Sequence, residues 1–126
     1  MEHYLRYFLP EDLLLYFDIT QVEELGEVSS KNMVFNIHLE EKNIVPEQYS
    51  QWEYESKGFT SPVYVQDFPI RGRAVYLVIK RRRWRHKINK QEIITRTFDL
   101  MSKGGKLTQE LSDFLKSPDK FERRFD

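Results

Sequence analysis

The stretch Ala74-Val-Tyr-Leu-Val-Ile-Lys-Arg-Arg-Arg-Trp-Arg-His86 decides the fold class. Val75, Leu77 and Ile79 alternate with Tyr76 and Val78, and a period of two sorts side chains onto opposite faces of a β-strand. Past Lys80 the apolar alternation gives way to Arg81, Arg82, Arg83, Trp84 and Arg85. The strand is therefore expected to start in a core and end in solvent. His86-Lys-Ile-Asn-Lys-Gln supplies a turn and Glu92-Ile-Ile-Thr-Arg-Thr-Phe-Asp-Leu a returning strand, which together predict a β-ribbon with a basic tip. On the other side, Val63-Tyr-Val-Gln-Asp-Phe reads as a strand that leads into this one through Pro69-Ile-Arg-Gly. There proline presets its own φ and glycine accepts a positive one.

Farther out, Asp18–Leu25 and Met33–Glu40 flank a segment containing Gly26. Met33, Phe35, Ile37 and Leu39 fall on one face, with Val34, Asn36, His38 and Glu40 on the other, which predicts a half-buried hairpin. Leu9-Pro-Glu-Asp opens with a proline and two acids, which suit a helix's first turn, and Leu13, Leu14, Tyr16 and Phe17 follow. A short helix is expected over 10–17. Residues 43–58 show weak periodicity and read as a loop or one or two helical turns. Thr108 sits at N-cap spacing before Leu111, Phe114 and Leu115, so a second helix is expected over 109–117, ended by Ser117-Pro. The fold class is α+β: a small, mostly antiparallel set of sheets and hairpins with a short N-terminal and a C-terminal helix. No repeat or linker divides the chain. Residues 1–126 are expected to form a single domain, with an acidic hairpin half (1–60), a basic ribbon plus helix (61–118) and a charged tail (119–126).

Composition narrows the chemistry. The chain has 126 residues, the size of one domain, and 40% of them are hydrophobic, too many for disorder. No stretch approaches the ~18–20 apolar residues that span a bilayer, and the start lacks the basic-then-apolar run of a signal peptide. A cytoplasmic protein is expected. Zero cysteines exclude disulfides, thiol nucleophiles and cysteine-based zinc fingers, and the scattered His3, His38 and His86 make a poor metal set. No metal or cofactor is expected. The acid pairs Glu23–Glu24 and Glu40–Glu41 are sequence neighbours, so on strands they point to opposite faces and form no carboxylate dyad. Gly104–Gly105 lacks the spaced glycines and lysine of a phosphate-binding loop, and Ser102 lacks a nucleophile-elbow context. The chain does not read as an enzyme.

Charge is where the sequence speaks. The net charge is zero, yet residues 1–60 hold 12 acids against 4 bases and residues 61–126 hold 8 acids against 16 bases. Such asymmetry points to a polyanion partner. Arginine's planar fork pairs with phosphate or guanine edges, and a two-stranded ribbon is slim enough for a major groove. On a pleated strand Arg81, Arg83 and Arg85 are expected on one face, with Arg82, Trp84 and His86 on the other. The candidate nucleic-acid contacts are Arg81, Arg82, Arg83 and Arg85, with Trp84 as ribbon anchor or base stacker. Arg71, Arg73, Lys80, Lys87, Lys90 and Arg96 are candidates for flanking phosphates. Two plainer readings compete: a solvated strand end guarded against aggregation, and arginines paired with the acidic half. A protein-interaction or self-association module without nucleic-acid binding is the alternative function. An RNA-binding version needs an exposed aromatic set on one sheet face, for which Tyr64, Tyr76 and Trp84 are the candidates.

Three segments carry a resemblance: Val65-Gln-Asp-Phe-Pro-Ile-Arg-Gly, Val75-Tyr-Leu-Val-Ile-Lys-Arg-Arg-Arg-Trp and Leu107-Thr-Gln-Glu-Leu-Ser-Asp-Phe-Leu. With Leu9-Pro-Glu, Phe17-Asp-Ile-Thr and Leu39-Glu-Glu-Lys-Asn-Ile-Val-Pro they resemble the N-terminal region of bacterial insertion-sequence transposases. In such proteins a small β-rich module precedes a helix-turn-helix and a DDE-type catalytic domain. The resemblance implies a module of transposition that binds double-stranded DNA at the ends of a mobile genetic element. The catalytic domain does not fit in this chain beside these elements, so the resemblance leaves three readings open: a truncated remnant, a stand-alone reading frame working with a catalytic transposase polypeptide as partner, or a regulator competing for the same sites. In a zinc-bearing branch of these transposases the turn after the arginine strand carries paired cysteines. Here that turn is His86-Lys-Ile-Asn-Lys-Gln, so the finger-like hairpin is expected without the metal.

Overall fold

The alternation in the sequence becomes seven strands and one short helix in the computed structural model, which describes residues 9, 11–26, 33–98 and 114. In chain order these are α1 (Glu11–Tyr16), β1 (Phe17–Leu25), β2 (Val34–Glu41), β3 (Tyr54–Phe59), β4 (Val63–Ile70), β5 (Arg73–Lys80), β6 (Arg82–His86) and β7 (Ile93–Thr95). The strands make two sheets, ordered β1-β2-β5-β4 and β3-β6-β7. Both hairpins expected from the alternation form, with Val22 opposite Ile37 and Val65 opposite Leu77. Between them β2 and β5 lie side by side in parallel, Ile37 opposite Leu77. Every other pairing is antiparallel. Among the described residues no helix is long and apolar enough to cross a membrane.

The main core lies against one face of the first sheet. Ile37 and Leu39 of β2, Val65 of β4, and Val75, Leu77 and Ile79 of β5 form the floor of the core. Leu9, Leu13 and Phe17, four residues apart, come down on it from α1 and its flanks, and Phe98 and Phe114 complete the cover. Each such side chain contributes about 1.5–3 kcal/mol through apolar surface removed from water. The second sheet has its own small core of Tyr54, Trp84 and Ile94, with Val45 packed against it.

Two sequence expectations are corrected. The stretch 74–86 is not one strand: β5 ends at Lys80, β6 begins at Arg82, and they belong to different sheets. On β5 the odd-numbered side chains Val75, Leu77 and Ile79 face the core, whereas on β6 the buried one is even-numbered Trp84. A regular strand keeps one parity inward, so the change forces a break, and Arg81 stands at it. The segment 43–58 is also more ordered than its weak periodicity suggests, since Tyr54–Phe59 forms β3 beside β6. Its alternation is hidden by an irregularity between Ser56 and Gly58, where Gly58 takes φ 102°. The predicted helix over 109–117 and tail over 119–126 lie outside the described residues, except for Phe114, which is helical and buried.

The β4–β5 turn is strained at one residue. Ile70 pairs with Arg73, leaving Arg71 and Gly72 as a two-residue loop with φ of 50° and 79°. Positive φ at both positions is the pattern of a type I′ turn, which favours asparagine then glycine. An arginine in the left-handed region strains its Cβ against the following carbonyl. Arg71→Asn is expected to stabilise the fold by part of the ~1–2 kcal/mol that a left-handed conformation costs an ordinary residue, read as a rise in melting temperature; an unchanged or lower temperature would contradict the turn assignment.

The same hairpin guards a sheet edge. β4 is an edge strand, and it carries an inward-facing buried Asp67, a proline at 69 and an irregular register between Asp67 and Ile70. Inward charge, proline and bulge each discourage a further strand from pairing. Burial pushes the Asp67 carboxyl above its ordinary value, with the Phe68 N–H pulling the other way, and Oδ1 has no partner. A carboxyl raised in the folded state favours folding fully below its unfolded value of 3.8 and loses that contribution as pH rises through the folded value. The Asp67 contribution to stability is therefore expected to fall as pH rises above about 4, and Asp67→Asn should remove that contribution in melts at increasing pH.

Candidate functional site

The arginine run divides into an inward pair at the break and an outward row beyond it. Arg81 continues the core-facing parity of β5 and meets Glu41, the last core-facing residue of β2. Its Nε donates to Glu41 Oε1 at 3.0 Å, and the two side chains are 2% and 1% exposed. The same oxygen accepts the Arg82 backbone N–H at 2.9 Å, while Glu41 Oε2 lies 3.6 Å from Arg96 Nε. Arg81 also donates to the Arg96 carbonyl and lies over the Phe98 ring, and Arg96 lies over Tyr16. Burial pushes the Glu41 carboxyl upward, and Arg81, the Arg82 N–H and Arg96 pull against that push. One carboxylate thus holds three arginines where the chain passes from one sheet to the other.

Arg82 is bound beside it. Its Nε donates to the Glu41 carbonyl at 3.1 Å, its Nη1 to Ser56 Oγ at 2.6 Å, and its guanidinium lies 4.4 Å from the Phe59 ring centre. Trp84 is fully buried, with Nε1 donating to Asn43 Oδ1 at 2.9 Å. It anchors the sheet and has no face to offer a base. Arg81 likewise cannot reach a phosphate without leaving its pocket.

What remains faces outward. On β6 the odd-numbered Arg83 and Arg85 stand on the face opposite Trp84, and Lys87 continues them beyond the strand. Successive members are about 7 Å apart along a strand. Arg83 is half-buried and carries no ion pair among the described residues, and its Nε, like that of Arg85, is out of water without a hydrogen-bond partner. Arg85 reaches Glu55 at 3.4 Å, a half-exposed pair that solvent weakens. Lys87 and Lys90 are exposed in the β6–β7 turn. That turn is held from its root: His86 N–H donates to the Glu92 carbonyl, and His86 Nδ1 accepts the N–H groups of Ile88 and Asn89 at 3.1 and 3.0 Å. Across the root, Tyr54 donates its hydroxyl to Glu92, which pushes the phenol up to about 12.

The other candidates lie elsewhere. Arg71 and Arg73 sit at the far end of β5, and seven residues, roughly 23 Å at strand rise, separate Arg73 from Lys80, where that strand ends. No single positive track joins them. Lys80 faces the outer side of the first sheet and pairs with Glu40 at 3.8 Å. That outer side also carries Tyr64 and Phe68, both about half exposed, and a shallow groove of about 410 Å³ lined by Leu25, Gly26, Val34, Asn36, Tyr64 and Tyr76. An aromatic set is present on a sheet face, but Glu23, bound to His38, and Glu40 stand with it.

Sequence reasoning missed Glu41, Asn43 and Ser56 as partners of the arginine strand. The alternation that sent Glu40 and Glu41 to opposite faces was the usable signal for Glu41, since its neighbours Ile37 and Leu39 face the core. No family model matches the chain, and no curated protein or solved structure matches it.

Proposed function

We propose that the chain is a non-catalytic DNA-binding module of a transposase system, gripping duplex DNA at element ends through the outer face and turn of the second sheet. The observation that carries this reading is the row Arg83, Arg85 and Lys87, with Lys90 beyond it, standing away from the core while Arg81, Arg82 and Arg96 are taken up inside. A regularly spaced row of cations suits a phosphate backbone, and arginine adds a second donor per contact. Chemistry belongs to a separate transposase polypeptide, and a cytoplasmic location belongs to the same proposal. The test is the salt dependence of binding. The triple substitution Arg83→Ala, Lys87→Ala and Lys90→Ala removes three of these cations. Among the described residues those three side chains have no hydrogen-bond partner. The substitution is expected to reduce the slope of log K against log salt by about 2.7, at ~0.9 per phosphate contact. An unchanged slope would remove this face from the mechanism.

The outer face of the first sheet favours a second reading, a protein-interaction module. Leu25, Tyr64 and Phe68 are each about half exposed beside the groove, and the flanking carboxylates give phosphate no grip. Light scattering after size exclusion separates the two: a dimer that ignores nucleic acid favours the second.

A further inference from the structure

Ile88 has no structural reason to be where it is. It is 88% exposed, the most exposed large hydrophobic among the described residues, at the apex of the β6–β7 turn. Turn chemistry asks for glycine, asparagine or aspartate in such loops, and a β-branched residue is the opposite choice. The apex is nonetheless fixed: His86 Nδ1 holds the N–H groups of Ile88 and Asn89, and Glu92 N–H donates to the Asn89 carbonyl at 3.0 Å. Lys87 and Lys90 flank it, both exposed. Lys87 N–H also donates to the Glu53 carbonyl at 2.8 Å, which brings Trp52, 77% exposed, to the same end of the sheet. The result is an exposed isoleucine whose backbone is fixed between two exposed lysines, with Trp52 at the same end of the sheet.

We propose that Ile88 is a wedge that enters between base steps of duplex DNA from the minor groove and kinks it, with Lys87 and Lys90 on the flanking phosphates. Inserted apolar side chains on ribbons and helices unstack a step and bend the duplex, so that more protein surface is wrapped. Preorganisation by His86 matters because a mobile apex would have to be ordered on binding. This inference rests on the DNA-binding reading above, and it adds a deformation which that reading does not require.

The test uses the full chain and a duplex of about 30 base pairs with a central TA step, the type that kinks most readily, carrying fluorophores at its ends. Anisotropy reads binding and energy transfer reads bending. The wild type is expected to bind and to raise transfer between the ends. Ile88→Ala is expected to bind within about tenfold of the wild type, the loss of one buried aliphatic contact, and to lose the rise in transfer. Lys87→Ala with Lys90→Ala should weaken binding and reduce its salt dependence. Binding without bending, or bending that survives Ile88→Ala, overturns the wedge and leaves the DNA reading standing. No binding at low salt overturns both, as does Ile88-dependent capture by anionic vesicles by a chain that ignores the duplex.

Discussion

Replacing Glu41 by alanine is expected to cost the fold about 3–5 kcal/mol, the size seen when one partner of a buried ion pair is removed. The carboxylate accepts from Arg81 Nε and the Arg82 N–H and lies beside Arg96, with Arg81 and Glu41 almost wholly out of water. Its loss leaves a buried guanidinium and a backbone donor unpaired at the junction of the sheets. Domains are stable by only about 5–15 kcal/mol, so the variant should be marginal. Arg81→Met is expected to be milder than Arg81→Ala, because the methionine chain keeps packing against Phe98. The double variant Glu41→Leu with Arg81→Met should recover part of the loss, because an apolar pair replaces an ionic one, but not all, because Arg96 and the Arg82 N–H stay unmatched. Urea melts measure each value. A loss below about 1 kcal/mol for Glu41→Ala would mean that the carboxylate is solvated, and the corner as described would be wrong.

Trp84→Ala is expected to cost a similar amount, about 3–5 kcal/mol, but in a different place. Trp84 is fully buried and is the largest member of a core that otherwise holds Tyr54, Ile94 and the flanking Val45. Its removal also leaves Asn43 Oδ1 without its indole partner. The first sheet has a separate core, so hydrogen exchange should show lost protection over β3, β6 and β7 with protection retained over β2 and β5. Trp84→Phe keeps much of the area but not the hydrogen bond, and should lose about 1–2 kcal/mol. Uniform loss of protection across both sheets would contradict the division into two cores.

Much of this architecture was legible because alternation states its face directly. The runs around Ile37 and Leu77 gave both hairpins of the first sheet, and Pro69-Ile-Arg-Gly marked the turn between β4 and β5. The parallel contact of β2 with β5 was not legible, because alternation specifies a face and not a neighbour. Nor was β3, whose partner lies some 28 residues further along and whose pattern Gly58 interrupts. The hardest feature was Arg81. A run of three arginines reads as a strand leaving the core, and its true cause, a change of inward parity met by a single glutamate on another strand, leaves no local trace. The candidate site was legible in outline only: the basic segment was found, but which arginines are taken up depends on Glu41 and Ser56, neither of them near in sequence.

In the proposed function, the cations in and beside the second sheet divide into a set held by Glu41 and Ser56 and an outward row, and the outward row meets DNA. The measurement that tests it most directly is an NMR titration of the labelled chain with a short duplex, following backbone amides and arginine Nε signals at about 50 and 200 mM salt. The expected result is shifts at Arg83, Arg85, Lys87 and Lys90 that fade at the higher salt, with the Nε signals of Arg81 and Arg96 unmoved. Shifts centred on Tyr64 and Phe68, or no shifts at either salt, would contradict it.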